Sequence, residues 1–309
     1  MSLSLQIVLS GLAAGSVYGL LAVGHTLVYR LTGIVHFALG DLVGLGVFTA
    51  LLITAGRGPI TQASASSWRF GLALLVGIAL VAAISSGAYT AIIQPYLVRG
   101  STVGWVAGSV AIAFAIQAFL QAVFQRPAYV FPDPFPFHDA GNNGIVPVGG
   151  ATFQLRSVFV VVLGVVLARA LAVVIDRTRF GRGLQAISQD PDGARIVGIP
   201  LEKYVSRAFA LVGALAVLIA VVAAPSGPFS VTTGSLLGLK GLVAALLIGF
   251  ADPLRAFAAG LVLGVVEAAI ASAQISGHGI GPSWRELIPI GLALLLLAAR
   301  SRREAPEAE

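Results

Sequence analysis

Apolar runs of about twenty residues alternate with short polar breaks along almost the whole chain. They fall at residues 5–29, 34–54, 70–93, 103–124, 153–175, 205–223 and 254–273, with a shorter run at 239–250 and a last one at 284–299. About twenty apolar residues suffice for a helix to cross the hydrocarbon core of a bilayer. The pattern therefore predicts an all-α polytopic membrane protein of eight or nine transmembrane helices, some short or broken. Glycine and proline set the punctuation. Pro95 is expected to end the third span, Pro225-Ser226-Gly227-Pro228 the sixth, and Asp252-Pro253 turns the chain between two late helices. Residues 126–150 carry Pro127, Pro132, Pro134, Pro136 and Pro147 among Tyr129, Phe131, Phe135 and Phe137. They suit a rigid extracytoplasmic loop at the interface, with an inert connector as the plainer reading. Residues 1–303 form one membrane domain, and residues 304–309 read as a disordered tail.

Two spans carry signals beyond hydropathy. In the first, Gly11, Gly15 and Gly19 recur every fourth residue, which lines one helix face with small residues and allows close approach of a second helix. His25 in the same run reads as a histidine hydrogen-bonded to a neighbouring helix. The second run contains Val35-His36-Phe37-Ala38-Leu39-Gly40-Asp41, followed by Gly44 and Gly46. A carboxylate inside an apolar segment is costly and faces protein or water. The glycines make the same helix easy to kink or unwind. Two readings stand side by side: Phe37, Gly40, Asp41 and Gly44 lie on a translocation path or subunit interface, or Arg30, His36 and Asp41 satisfy one another and only fix helix packing.

The least apolar stretch, residues 176–204, organises the rest. Asp190 is placed to cap a helix, Pro191 suits its first position, and Asp192 lies in its first turn, where the helix dipole favours a carboxylate. Gly198 supplies a left-handed C-terminal residue and Pro200 stops continuation. These signals predict about two turns of helix at a membrane face, a shape that another protein can grip; the plainer alternative is a solvated loop with one helical turn.

Composition fits this picture. The chain is 57% hydrophobic and 10% charged, with a mean hydropathy of +0.94, too little charge to cover a water-soluble surface. The net charge of +6 comes from loop arginines and implies no nucleic acid. Arg177, Arg179, Arg182, Arg195, Lys203 and Arg207 mark the cytoplasmic side, as do Arg300, Arg302 and Arg303. Nine crossings with the N-terminus outside satisfy both groups, against a smaller number of arginines (Arg57, Arg69, Arg126, Arg156) left outside. Without cysteine there are no disulfides or thiolate metal sites. Lys203 and Lys240 are the only lysines, and neither stands in a phosphate-binding Gly-Lys-Ser/Thr context. No metalloprotease or nucleophile-elbow motif occurs, so the sequence is not that of an enzyme.

Within this frame several motifs resemble the permeases of branched-chain amino acid ABC importers: Leu12-Ala13-Ala14-Gly15-Ser16-Val17-Tyr18-Gly19, Val35-His36-Phe37-Ala38-Leu39-Gly40-Asp41, Thr178-Arg179-Phe180-Gly181-Arg182 with Gln189-Asp190-Pro191, Gly238-Leu239-Lys240-Gly241 and Leu263-Gly264-Val265-Val266-Glu267-Ala268. The likeness is to the H-type subunit of the permease pair. It implies a permease in a bacterial inner membrane with its C-terminus cytoplasmic, a second homologous permease, two cytoplasmic ATPases that hold the ATP and Mg, and an extracytoplasmic solute-binding protein, with no cofactor in this chain. It also implies that Arg182, Gln189, Asp190, Pro191, Asp192, Gly193, Ala194, Arg195 and Gly198 belong to the ATPase-coupling segment. Two departures stand out. Leu39-Gly40 occupies a place where the family often has His-Gly, and Gly249-Phe250-Ala251-Asp252-Pro253 replaces a glycine-rich turn. The resemblance implies a branched-chain amino acid as solute, and the departures leave room for another small solute, since relatives of the family handle urea, amides and aromatic acids. The alternative is an ion-coupled transporter or channel acting alone through Asp41, Lys240 and Glu267.

Lys240 and Glu267 both lie in apolar runs. Counted from the turn at Asp252, they stand about 18 and about 22 Å along antiparallel helices at about 1.5 Å per residue. That mismatch is within reach of a lysine stem, so they are expected to form a direct or water-bridged ion pair.

Overall fold

The structure, a computed structural model, describes residues 2–55, 67–99, 101–131, 145–148, 151–272, 274–275 and 278–279, with positions 291 and 295. Its helices are α1 (Ser2–Thr32), α2 (Leu39–Thr54), α3 (Ser67–Ala88), α4 (Gln94–Val98), α5 (Thr102–Val123), α6 (Leu155–Arg177), α7 (Arg179–Gln189), α8 (Pro191–Ile196), α9 (Leu201–Ala223), α10 (Thr233–Leu247) and α11 (Pro253–Ser272). Two hairpins accompany them, β1 (Ile145–Val148) with β2 (Ala151–Gln154) and β3 (Gln274–Ile275) with β4 (His278–Gly279). Six helical stretches are long and apolar enough to cross a membrane, and α2 and α10 are shorter apolar helices. The run expected to span at 284–299 and the tail at 304–309 lie outside the described residues.

Several boundaries differ from the sequence reading; α9 begins at Leu201, ahead of the run at 205, and α10 occupies Thr233–Leu247, so the Ser/Thr/Gly run expected to lead into residue 239 is already helical. The third span does not end at Pro95. Residues Tyr89–Ile93 form a π-helical turn that feeds directly into α4, with Pro95 in its first turn. The wider turn accommodates the missing N–H and the ring where an α-helix would clash. The second span starts at Leu39, not residue 34. Gly33, at φ +69°, ends α1, its amide bonded to the carbonyl of Tyr29 at 2.7 Å, and residues 34–38 pass outside any helix. The fifth span starts at Leu155, because the preceding residues pair in the β1–β2 hairpin, Val146 opposite Phe153.

Glycine decides the packing of α1. A methyl on Gly11 would lie 2.6 Å from the Cα of Val265, and one on Gly15 2.7 Å from the Cα of Leu261. Gly260 and Gly264 of α11 face back onto Gly19 and Gly15. The two helices run antiparallel with their backbones in contact, so the glycine spacing read in α1 has its counterpart in α11. A second contact of this kind joins α2 to α10: a methyl on Gly238 would lie 2.6 Å from the Cα of Gly40, and one on Gly234 3.0 Å from the amide nitrogen of Gly44. Such approach brings dispersion contacts that lipid tails cannot match. On the other side α9 packs on α3, where Ser85 Oγ donates to the carbonyl of Phe209 at 2.7 Å. Toward the C-terminal end of α2, Phe48 packs against Phe124, Tyr129 and Phe229, and Tyr129 and Phe229 exchange backbone hydrogen bonds at 2.9 and 2.8 Å.

Gly15→Val should therefore destabilise the fold by about 1–3 kcal/mol through overpacking. Gly71→Ala in α3, where nothing lies within 4 Å of the added methyl, should be neutral or favourable by up to about 1 kcal/mol. Thermal melting of the detergent-purified permease, followed by size-exclusion chromatography, compares the two.

Candidate functional site

The broken start of the second span carries the first polar site. Asp41 lies in the first turn of α2 and is 3% exposed. Its Oδ1 accepts a hydrogen bond from Gln117 Nε2 of α5 at 2.9 Å and from Ser235 Oγ of α10 at 2.5 Å, and Gln117 Nε2 also donates to Ser235 Oγ at 2.9 Å. Arg30, His36 and Asp41 do not satisfy one another. Both ring nitrogens of His36 lack a hydrogen-bond partner, and the ring stands edge-on to Phe209 with centroids 5.2 Å apart. His25 Nε2 lies 3.2 Å from the carbonyl oxygen of Gly238 on a neighbouring helix. Gly40 is pressed against Gly234 and Gly238, Gly44 faces the carbonyl of Val231, and Phe37 is 41% exposed just outside α2. Gln117 and Ser235 were not singled out from the sequence. The available signal was an amide in the middle of the apolar run of α5 and a serine in the Ser/Thr/Gly run before Lys240. A carboxylate placed in lipid at this depth would cost about 2.5–3.5 kcal/mol, which the two donors and the burial avoid.

The second site joins α10 and α11. Lys240 Nζ lies 2.6 Å from Glu267 Oε1 and donates to Tyr18 Oη of α1 at 3.3 Å, with the ammonium 5.2 Å from the Tyr18 ring centroid. The lysine side chain is 9% exposed and the glutamate 18%. Gly241, the next residue, sits against the backbone of Leu21 and Ala22, so α10 is pressed onto α1 where the pair forms. Tyr18 is the partner that helix counting does not give, because it comes from a third helix.

The polar stretch folds as two helices, not one. Thr178 caps α7, its Oγ1 accepting from the amide of Gly181 at 2.9 Å. Gly181, Leu184 and Ile187 form the buried face of α7, and Phe180 stacks on Tyr204 of α9. The i, i+3, i+6 spacing of those three residues was the missed signal. Asp190 Oδ1 accepts from the amide of Gly193 at 2.9 Å, which caps α8. At its other end the amide of Ile199 bonds to the carbonyl of Ala194 at 2.9 Å and that of Gly198 to Arg195 at 3.0 Å, with Gly198 at φ +84°. This is a Schellman ending. Within α8 Ala194 is buried and Gly193 half-buried against the capping carboxylate, while Gln189, Asp190, Pro191, Asp192, Arg195 and Gly198 are exposed, as is Arg182 on α7. Ile196 and Val197 are 86% and 75% exposed, large apolar side chains on a loop outside any span. A cleft of about 440 Å³ separates α8 from the end of α1, lined by Tyr29, Arg30, Ile187, Pro191 and Phe250. Among the described residues no group of three His, Cys, Asp or Glu is placed to hold a metal ion.

The ion pair makes a sharp prediction. Removing one partner of a buried pair leaves an uncompensated charge, at about 3–5 kcal/mol, whereas replacing both is close to neutral. Glu267→Gln should lower the amount of folded permease recovered from membranes, and adding Lys240→Met should restore part of it.

Comparison with known proteins agrees with this architecture. The chain is 27% identical over 309 residues to the high-affinity branched-chain amino acid transport system permease protein BraD of Pseudomonas aeruginosa, covering 96% of this chain and 94% of the relative. It is 23% identical to the corresponding permease protein LivH of Escherichia coli K12, covering 95% and 92%. It is 26% identical to the nucleoside ABC transporter permease protein NupC of Lactococcus lactis, covering 86% and 83%. With residues 7–298 matching the family described as the branched-chain amino acid transport system permease component, the chain belongs to that family and is a multi-pass permease subunit of an ABC-type importer.

Proposed function

We propose that this chain forms half of a translocation path for a branched-chain amino acid or a related small solute. A second homologous permease supplies the other half, an extracytoplasmic binding protein delivers the solute, and two cytoplasmic ATPases hold the ATP and Mg that drive transport. The chain itself is not an enzyme and takes no cofactor. Positive charge concentrated around α7 and α8 supports a cytoplasmic position for that face and for the C-terminal arginines, in a bacterial inner membrane. Family membership does not favour the ion-coupled alternative.

The observation that carries the coupling role is α8 itself. It is capped at both ends, outside every span, and ends in exposed Ile196 and Val197. A preformed short helix loses little entropy on docking, and exposed apolar side chains ringed by charge are what a groove on an ATPase buries at an interface centre. Asp192 and Arg195, 3.8 Å apart and both exposed, add little to stability and are free to pair across the interface. Phe37, Gly40, Asp41 and Gly44 form the wall of the path or its subunit interface. The Lys240–Glu267 pair holds the α10–α11 hairpin beside it.

Ile196→Ser with Val197→Ser leaves the caps and the buried Ala194 in place. The pair of changes should lower solute-stimulated ATP hydrolysis and weaken co-purification of the ATPase about tenfold, the factor for about 1.4 kcal/mol, at unchanged permease abundance. Unchanged coupling in that variant overturns the docking role. Uptake that survives ATP depletion and collapses with an uncoupler overturns the importer reading.

A further inference from the structure

Among the described residues, Asp41 is buried and Glu267 half-buried in apolar helices, and the chain treats the two carboxylates differently. Glu267 has Lys240 at 2.6 Å. Asp41 has neutral hydrogen-bond partners, Gln117 and Ser235, and among the described residues no Lys, Arg or His forms an ion pair with it. Its surroundings are nonetheless those of a carboxylate. The Gln117 amide and the Ser235 hydroxyl both donate to Oδ1, and the position in the first turn of the sixteen-residue α2 sets the carboxylate at the positive end of that helix. What is missing is a counter-ion.

The side on which one would arrive is also defined. Asp41 is covered by its own chain, but Gln117 and Ser235 are half-buried, and the neighbouring Leu236 and Leu239 of α10 and Phe114 of α5 are exposed. A carboxylate-centred cluster opening onto hydrocarbon is unfavourable, so intramembrane charges face water or protein. The Gly40–Gly238 contact closes α2 against α10 on the other side of the cluster's backbone.

We infer that Asp41, Gln117 and Ser235 form a cation-receiving station on the aqueous path, where the ammonium group of a passing solute is the counter-ion that Asp41 lacks. Asp41 supplies the charge; Gln117 and Ser235 are positioning residues that hold its Oδ1 and leave Oδ2 for the ligand. This rests on the reading above that the face of α2 and α10 lines the path. It deepens that reading by naming the group recognised and the residues that recognise it. A solute with a primary ammonium is favoured here over an isosteric acid or amide.

The chain has no cysteine, so Leu236→Cys places a single thiol in it beside the station. In membrane vesicles carrying the whole transporter, modification of this chain is timed with a trimethylammonium-ethyl and a sulfonatoethyl methanethiosulfonate, each rate divided by that of free mercaptoethanol. The normalised rate should favour the cationic reagent about tenfold, as expected for one unit charge a few ångströms away at intermediate dielectric. Asp41→Asn should bring the ratio to about one. Gln117→Lys, which supplies an internal counter-ion and keeps Asp41, should do the same. L-leucine should slow the cationic reagent, while 4-methylpentanoate, which lacks the amine, should not. A thiol that neither reagent reaches, a ratio near one in the Leu236→Cys parent, or a preference that survives both variants overturns the station. Reagent access requires no ATPase, so charge preference without ATPase coupling would sink the docking role alone, and ATP-driven uptake without charge preference would sink the station alone.

Discussion

Backbone contact between helices is the constraint on which the polar sites depend. In a bilayer, burying a leucine between two helices gains little, because lipid is as apolar as leucine; close packing and polar contacts supply the attraction. Here the contacts are made by glycine on both sides, Gly11, Gly15 and Gly19 of α1 with Gly260 and Gly264 of α11, and Gly40 and Gly44 of α2 with Gly234 and Gly238 of α10. With no side chain between them, these helices meet backbone to backbone. Ser235 is one residue from Gly234, and Lys240 is one residue from Gly241, which abuts α1. The short hydrogen bonds to Asp41 and the direct Lys240–Glu267 contact follow from where the backbones meet.

What could be read from the sequence divides along the same line. Spans were legible because hydropathy is local, and the α8 caps were legible because Asp190, Pro191, Gly198 and Pro200 each impose a local conformation. The Lys240–Glu267 separation followed from counting along a tight hairpin. Features that join distant elements were not legible. Tyr18 reaches Lys240 from α1, and Gln117 reaches Asp41 from α5. Both depend on which helices are neighbours, which no single stretch encodes. Two errors were local and instructive. Pro95 is a helix breaker only if the preceding turn stays α-helical, and the π-helical turn at Tyr89–Ile93 removes that condition. Residues 34–38 look apolar enough for a span, but Gly33 in the left-handed region had already ended α1. The amphipathic α7 was missed because its polar residues dominate the composition, although its buried positions keep a helical period.

The late turn shows how one departure from the family pattern is accommodated. Gly249 and Phe250 have φ of 61° and 56°, a conformation open to glycine and costly for a bulky side chain, of order 1–3 kcal/mol. Phe250 is held in it by stacking on Tyr29 with ring centroids 4.1 Å apart, and it is 6% exposed. An aromatic contact of this kind, with the burial it brings, offsets a strain of that size. The glycine-rich turn expected at this place would be free of strain but would carry no ring to bind α1.

That contact gives α10 two masters. Its C-terminal end runs into Phe250, which lines the same cleft as Ile187 and Pro191 at the α7–α8 junction. Its other end carries Ser235 of the Asp41 cluster, about 18 Å away at about 1.5 Å per residue from Leu247. Between them Lys240 ties it to α11 and Gly241 seats it on α1. Sub-ångström shifts at one end of a packed helix are carried to the other because packed elements move as units. In the described structure α10 is the element that touches both the Asp41 cluster and, through Phe250, the cleft beneath α8. Phe250 and α10 thus lie between the cleft beside α8 and the polar cluster, and the Lys240–Glu267 pair, between Ser235 and Leu247 along α10, joins that helix to α11.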